Sequence, residues 1–276
     1  MGVEDTEIAV FAHAVPLLAG AWVVAALLMT TLWIWHLRLR NAAVVDVGWA
    51  GGLAIVAVID AVVGVGDVER RWIAASMMAI WGARLAGYLF VARVAGREED
   101  ARYTELRRTR GDRANRWFFW FFQAQGLLVA LLSWPIAVAS SDTNPSISIV
   151  VWIGVALWVA AVAGESAADR QLHAFKADPA NRGRTCRVGL WRYSRHPNYF
   201  FEWLVWVAFA LVATPSPGGP IAWACPALML YFLFRVTGIP ATEAQAVRSR
   251  GQEYREYQRT TSAFVPWFPR SDRAAS

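Results

Sequence analysis

Apolar residues run through this chain in long blocks, without the alternation of a strand or the single stripe of a surface helix. Seven blocks approach the ~20 residues needed to cross a bilayer core. They are Ala14 to Trp35, Val45 to Val65, Trp72 to Val94, Trp117 to Ala139, Ile147 to Gly164, Tyr199 to Ala213 and Ile221 to Ile239. The sixth is short unless it begins in the polar residues before it. Trp35, Trp72, Trp117 and Trp134 stand at or near block ends, as in an interfacial aromatic belt. The pattern predicts an all-α integral membrane protein of seven transmembrane helices, forming one domain over residues 1–276.

Composition agrees, since 57% of residues are hydrophobic, sixteen are Trp and only 17% are charged, which excludes an ordinary soluble domain. Cys186 and Cys225 have neither metal-ligand nor disulfide spacing and read as bystanders. The acids Glu4, Asp5 and Glu7 ahead of the first block, and that block's length, argue against a cleaved leader. Of the 27 basic residues, only Arg70 and Arg71 fall in a loop on the side shared by the N-terminus and the second-to-third, fourth-to-fifth and sixth-to-seventh connections. The opposite side takes His36 to Arg40, Arg93 to Arg116, Glu165 to Arg195 and Arg248 to Arg273. Basic loops stay in the cytoplasm, so the N-terminus is expected outside and the C-terminus inside, in a bacterial-type inner membrane. Lipid head groups alone would account for such a face, and no nucleic-acid partner is expected.

Asp46 begins the second block in VVDVGWAGGL. An acid at the bilayer edge has a partner or a function, or it caps the helix. Gly48, Gly51 and Gly52 after it offer a close-packing surface, and the deeper Asp60 reads as a salt-bridge partner. Arg84 and Tyr88 stand one turn apart in the third block; Arg84, near mid-membrane, should face a cavity or pair with an acid such as Asp46. The next loop mixes charges at helical spacing, with Glu98 four before Arg102 and Asp112 four before Arg116. It predicts a surface helix stitched by ion pairs, or a cover over a phosphate in which Arg97 is the candidate. Gln123 and Gln125 read as helix-to-helix glue.

The stretch Asn181 to Trp206 organises the second half. It crowds Arg182, Arg184, Arg187, Arg192, Arg195 and His196 before an apolar helix whose first turns carry Asn198, Tyr199 and Glu202. Such a collar suits an anionic head group held in water, its reactive end presented to something dissolved in lipid. Upstream, Glu165, Asp169 and Lys176 share one helical face; they can orient the arginines, bind a ribose and an amide, or form a solvated juxtamembrane helix. His196 is a candidate acid, or simply a donor to a phosphate or a carbonyl.

From about Ala167 onward the chain resembles the C-terminal region of steroid 5α-reductases, and its whole length resembles their bacterial relatives, long catalogued as a domain of unknown function. The resemblance implies an NADPH site spanning roughly 165–270, with counterparts at Asp169, Lys176, Arg184 before Gly189-Leu190-Trp191, Asn198 and Glu202; Glu165, Arg195, His196 and Tyr199 join the cofactor candidates from the helix-face and collar reading. Trp206 matches an aromatic bordering the nicotinamide, Arg97 lies near a Gly-Arg cofactor contact, and Tyr257 with Pro266 matches the closing pattern. Arg84 and Tyr88 keep the family's Arg-x-x-x-Tyr spacing. Trp81 stands where those reductases carry a substrate-polarising Tyr, leaving Asp46 and Tyr88 as catalytic candidates. The activity implied is hydride transfer from NADPH to a carbon–carbon double bond of a lipophilic enone, such as a 3-oxo-4-ene steroid, entering from the bilayer. Arg195-His196-Pro197-Asn198-Tyr199, with Glu243, Tyr254 and Tyr257, also resembles isoprenylcysteine carboxyl methyltransferases, which implies S-adenosylmethionine instead. A sulfonium donor without phosphates has little use for so many arginines. A lipid-binding scaffold or transporter, the third reading, would string polar residues along mid-depth, whereas here they gather at helix ends.

Overall fold

The computed structural model describes residues 3–236 and 238–270, which are helical with no strand among them. The helices are α1 (Val3–Leu39), α2 (Val44–Val63), α3 (Val68–Arg93), α4 (Ala101–Arg110), α5 (Ala114–Leu132), α6 (Trp134–Ala139), α7 (Ile149–Ala177), α8 (Pro197–Ala213), α9 (Ala224–Tyr231), α10 (Ile239–Arg250) and α11 (Gln252–Thr260). By length and composition six segments can cross a bilayer, which makes this a multi-pass membrane protein: Asp5–Leu39, Val44–Val63, Val68–Arg93, Ala101–Ala139, Ile149–Ala177 and Gly219–Arg250. The expected sixth block is α8, an apolar helix of only 17 residues. It starts at Pro197, where a missing N–H costs a helix nothing, and stops before Thr214. The expected block Ile221 to Ile239 is not one regular helix. It opens as a 3₁₀ turn (Gly219–Trp223), becomes α9, and loosens into a π-turn over Phe232–Val236.

The chain forms two compact units. The first holds Met1–Val151 and Leu211–Ala222, the second Trp152–Ala210 and Trp223–Ser276. In the first, the α2–α3 pairing is close because Gly82 has no side chain: a Cβ there would lie 2.6 Å from the Ala50 carbonyl oxygen. Gly48 and Gly52 seat Leu32 and Leu28 of α1 in the same way, whereas Gly51 meets only Ala86 at ordinary contact distance. Trp81, fully buried, meets Trp49 edge-on with centroids 5.9 Å apart. Gln123 donates to Thr30 Oγ1 at 3.1 Å, tying α5 to α1 as glue should.

One end of this unit is closed by Arg70, 1% exposed, whose guanidinium reaches Asp142 at 3.5 Å and donates to the carbonyls of Asn144 (3.1 Å) and Ser146 (2.6 Å). Arg71 donates to the Gly64 carbonyl. Both arginines, which the structure places in the first turn of α3 and not in the loop before it, are thus spent on joining loops.

In the second unit, Gly164 lets α7 accept the Phe201 ring of α8. Phe264, Leu233 and Ile239 form a small core under Tyr199, Phe200, Trp203 and Leu230, and Trp203 Nε1 donates to the Pro226 carbonyl at 3.2 Å.

Candidate functional site

In the first unit, antiparallel pairing of α2 and α3 sets the start of one helix beside the end of the other. Asp46 therefore meets Arg93, whose Nη1 donates at 2.5 Å, and not Arg84. The helix α4 completes the cluster: Tyr103 donates its hydroxyl to the other carboxylate oxygen at 2.8 Å, and Arg102 lies 3.5 Å away. Glu99 takes both a fork from Arg107 (2.8 and 3.1 Å) and the Ala42 backbone N–H (2.8 Å). Asn41 donates to the Arg93 and Arg97 carbonyls at 3.0 and 3.4 Å. The expected Glu98–Arg102 stitch does not form, because α4 begins only at Ala101 and Arg102 turns back to Asp100, its N-cap. Burial would raise the Asp100 carboxyl, but hydrogen bonds from Arg102 outweigh it and hold the group below its ordinary range. Arg97 is exposed; Tyr88 is half-buried on α3.

In the second unit, Glu165 and Asp169 are buried on α7 at 2% and 5% exposure. Asn198, in the first turn of α8, donates to Asp169 at 3.4 Å. Glu202 is half-buried one turn on, and Trp206 is fully buried another turn on. The turn Gly189–Arg192 is fastened to α7 beside Asp169, with Trp191 Nε1 donating to the Ala168 carbonyl at 2.9 Å and Leu190 N to Gln171 Oε1 at 2.9 Å. Gly189 makes this possible at φ +57°, a conformation that disfavours a side chain.

The collar divides into two sets. Arg195 is an internal brace: Nε binds Glu243 at 2.6 Å, and Nη1 donates to the Gln258 and Thr261 carbonyls at 2.8 and 2.6 Å. Glu243 also receives His196 Nε2 at 3.2 Å and Gln258 at 2.7 Å. The His196 ring is buried and stacked on Tyr199, planes 4° apart. Arg187 donates to the Glu253 carbonyl at 2.8 Å and lies over the Tyr257 ring. The Tyr257 hydroxyl, 2% of the residue exposed, donates to the carbonyls of Trp191 and Ser194, and burial pushes its pKa well up, so it remains a donor. Burial also lifts Tyr254 to about 12, the Glu243 charge adding to it.

Arg182, Arg184 and Arg192 form the other set. Their side chains are exposed and make no hydrogen bond or ion pair with the described residues. Gly183 between the first two has φ +79° and open space where a Cβ would stand. Lys176 is exposed at the end of α7, close enough to Cys186 to act on it electrostatically, although burial dominates and raises that thiol.

Three unengaged guanidiniums in one short connection, between the helix that carries Asp169 and the helix that carries Asn198, suit a phosphate-bearing ligand. Arg195, His196 and Tyr257 do not offer themselves in the same way: their polar atoms hold the 191–196 turn to α10 and α11. Sequence reasoning placed all of these arginines in one anion-holding collar, but picked out Arg184, Arg195, His196 and Tyr257 for the cofactor and not Arg182 or Arg192. It also missed Arg93 and Tyr103 as the holders of Asp46, although the hairpin register of α2 and α3 pairs position 46 with the end of α3. No cluster of His, Cys, Asp and Glu that could hold a metal occurs among the described residues.

The family described as "Protein of unknown function (DUF1295)" matches residues 32–261. No curated protein and no solved structure matches the chain.

Proposed function

The chain belongs to the DUF1295 family, in the steroid 5α-reductase-like group, and from that premise we propose that it is an NADPH-dependent membrane reductase acting on the carbon–carbon double bond of a lipophilic enone. The observation that carries this reading is the division of the collar. Arg182, Arg184 and Arg192 stay exposed and unengaged while the arginines beside them are consumed by the fold. Exposed arginines are hydrated and bind a dianionic phosphate as forks; a methyl donor without phosphates gives them no role.

When bound, the dinucleotide supplies a hydride to the β-carbon of the enone and leaves oxidised, while a proton from solvent completes the saturated ketone. Arg182 and Arg184 would hold the phosphates, and Asn198, oriented by Asp169, the ribose or carboxamide end. Glu202 and the buried Trp206 continue that face along α8. Of the two catalytic candidates, Asp46, whose carboxylate is taken by Arg93, Arg102 and Tyr103, positions α4, and Tyr88 stays a candidate on the resemblance and on a phenol's ability to donate to a carbonyl.

For topology we take α8 as a seventh crossing, with the N-terminus outside and the C-terminus in the cytoplasm, in a bacterial-type inner membrane. The engagement of Arg70 and Arg71 supports this, since the side expected outside then carries no free basic loop.

The test is a titration of the detergent-purified protein with NADPH, NADH and S-adenosylmethionine, followed by NADPH oxidation with a 3-oxo-4-ene steroid and with a long-chain enone. Saturable NADPH binding weakened by Arg184→Ala or Asn198→Ala supports the reductase. Binding of S-adenosylmethionine alone turns the reading to a methyltransferase.

A further inference from the structure

The segment Phe264 to Arg270 follows the last helix and is not a loose tail. Ser194 Oγ donates to the Phe264 carbonyl at 2.7 Å, Trp267 N to the Tyr193 carbonyl at 2.9 Å, and Arg270 N to the Thr260 carbonyl at 2.8 Å. Pro266 and Pro269 stiffen it further. Yet this fastened segment presents large apolar side chains outward: Val265 is 52% exposed, Trp267 69% and Phe268 75%, with Val188 at 51% in the same unit. Phe268 rests edge-on against Tyr193, centroids 5.9 Å apart, which fixes its direction too.

Phe264 sets the depth of this ridge. Its ring is buried against Phe200, Trp203 and Phe234, at 5.6, 5.9 and 5.2 Å between centroids, where apolar α8 begins and the π-turn ends. Phe234 itself is 40% exposed, so apolar surface continues from the π-turn to this end of the unit. Exposed Arg259 and Arg270 belong to the residues that carry or adjoin the fastened segment. Trp and Phe held rigidly outward with arginines beside them, at the end of a membrane-crossing surface, have the composition of an interfacial anchor.

We propose that the ridge Val265–Trp267–Phe268 lies in the bilayer interface, with Arg259 and Arg270 on anionic lipid head groups, and so pins α11 to the membrane surface. This holds whatever reaction the protein carries out.

The experiment places a nitroxide at Phe268→Cys, and separately at Val265→Cys, in full-length protein with Cys186→Ala and Cys225→Ala, reconstituted in nanodiscs containing phosphatidylglycerol. Arg255→Cys on α11, exposed and outside the ridge, is the reference. Because oxygen partitions into the bilayer and a water-soluble nickel chelate does not, the oxygen-to-chelate collision ratio at 265 and 268 should exceed that at 255 by about threefold or more. Equal ratios at all three positions would overturn the proposal by placing the ridge in water. Exclusion of both reagents from 265 and 268 would also overturn it, replacing the lipid with a second copy of the chain. Either label suffices if the other impairs folding.

Discussion

Arg93, Arg102 and Arg107 of the first unit each end on a carboxylate, those of Asp46, Asp100 and Glu99. Arg182, Arg184 and Arg192 of the second end on none among the described residues. Both regions are arginine-rich connections at helix ends, and the difference between them is the supply of acid. Glu98, Glu99, Asp100 and Glu105 are interleaved with the first set, while no Asp or Glu occurs between Asp178 and Glu202. Arg187 and Arg195 escape that shortage only because α11 brings Glu256 to the first and α10 brings Glu243 to the second, the Glu253 backbone carbonyl taking a further bond from Arg187. A cluster of arginines is therefore not by itself a ligand site. Within the collar, what remains after the fold has used its share is Arg182, Arg184 and Arg192.

The comparison can be broken most forcefully at Glu243. Removing it by Glu243→Ala leaves the Arg195 guanidinium, 10% exposed, without its carboxylate, and should lower unfolding stability by about 3–5 kcal/mol; thermal unfolding in detergent measures it. Gly82→Ala pushes a methyl toward the Ala50 carbonyl and should cost about 1–3 kcal/mol by forcing α2 and α3 apart. The same thermal scan applies, with Gly51→Ala as a near-neutral companion. Tyr257→Phe removes one hydroxyl shared by two carbonyls, for a loss of about 1–2 kcal/mol. Arg182→Ala sharpens the contrast from the other side. An exposed side chain without partners should change stability by less than about 0.5 kcal/mol, so any measurable loss would have to appear in ligand binding.

Much of the fold was legible in the residues. Long apolar blocks announced the crossing helices, Gly48 and Gly52 their close approach, and Gln123 its bond across to α1. The π-turn at Phe232–Val236 was not legible, because a loosened helix keeps the same apolar composition as a regular one. Nor was the early start of α1, since Glu4 to Thr6 are polar yet belong to the helix. At the candidate site, the shared α7 face of Glu165 and Asp169 was readable from helical spacing, whereas the pairing of Asp169 with Asn198 of α8 was implied only by the resemblance. The fate of each collar arginine was not, because the acids that decide it, Glu243 and Glu256, arrive from far later in the chain, on α10 and α11. The acid-free run from Pro179 to Phe201 was a readable signal of unspent charge that the motif Arg195-His196-Pro197 obscured.

One paired measurement tests the division of the collar most directly: the NADPH dissociation constant and the unfolding temperature of Arg184→Ala and Arg195→Ala beside the parent protein. The account predicts that Arg184→Ala loses roughly 10- to 100-fold in affinity, the worth of one charge-assisted contact, with its unfolding temperature unchanged. Arg195→Ala should lose stability and, where it is still folded, keep its affinity. The reverse pattern, or a parent protein that does not bind NADPH at all, would contradict it.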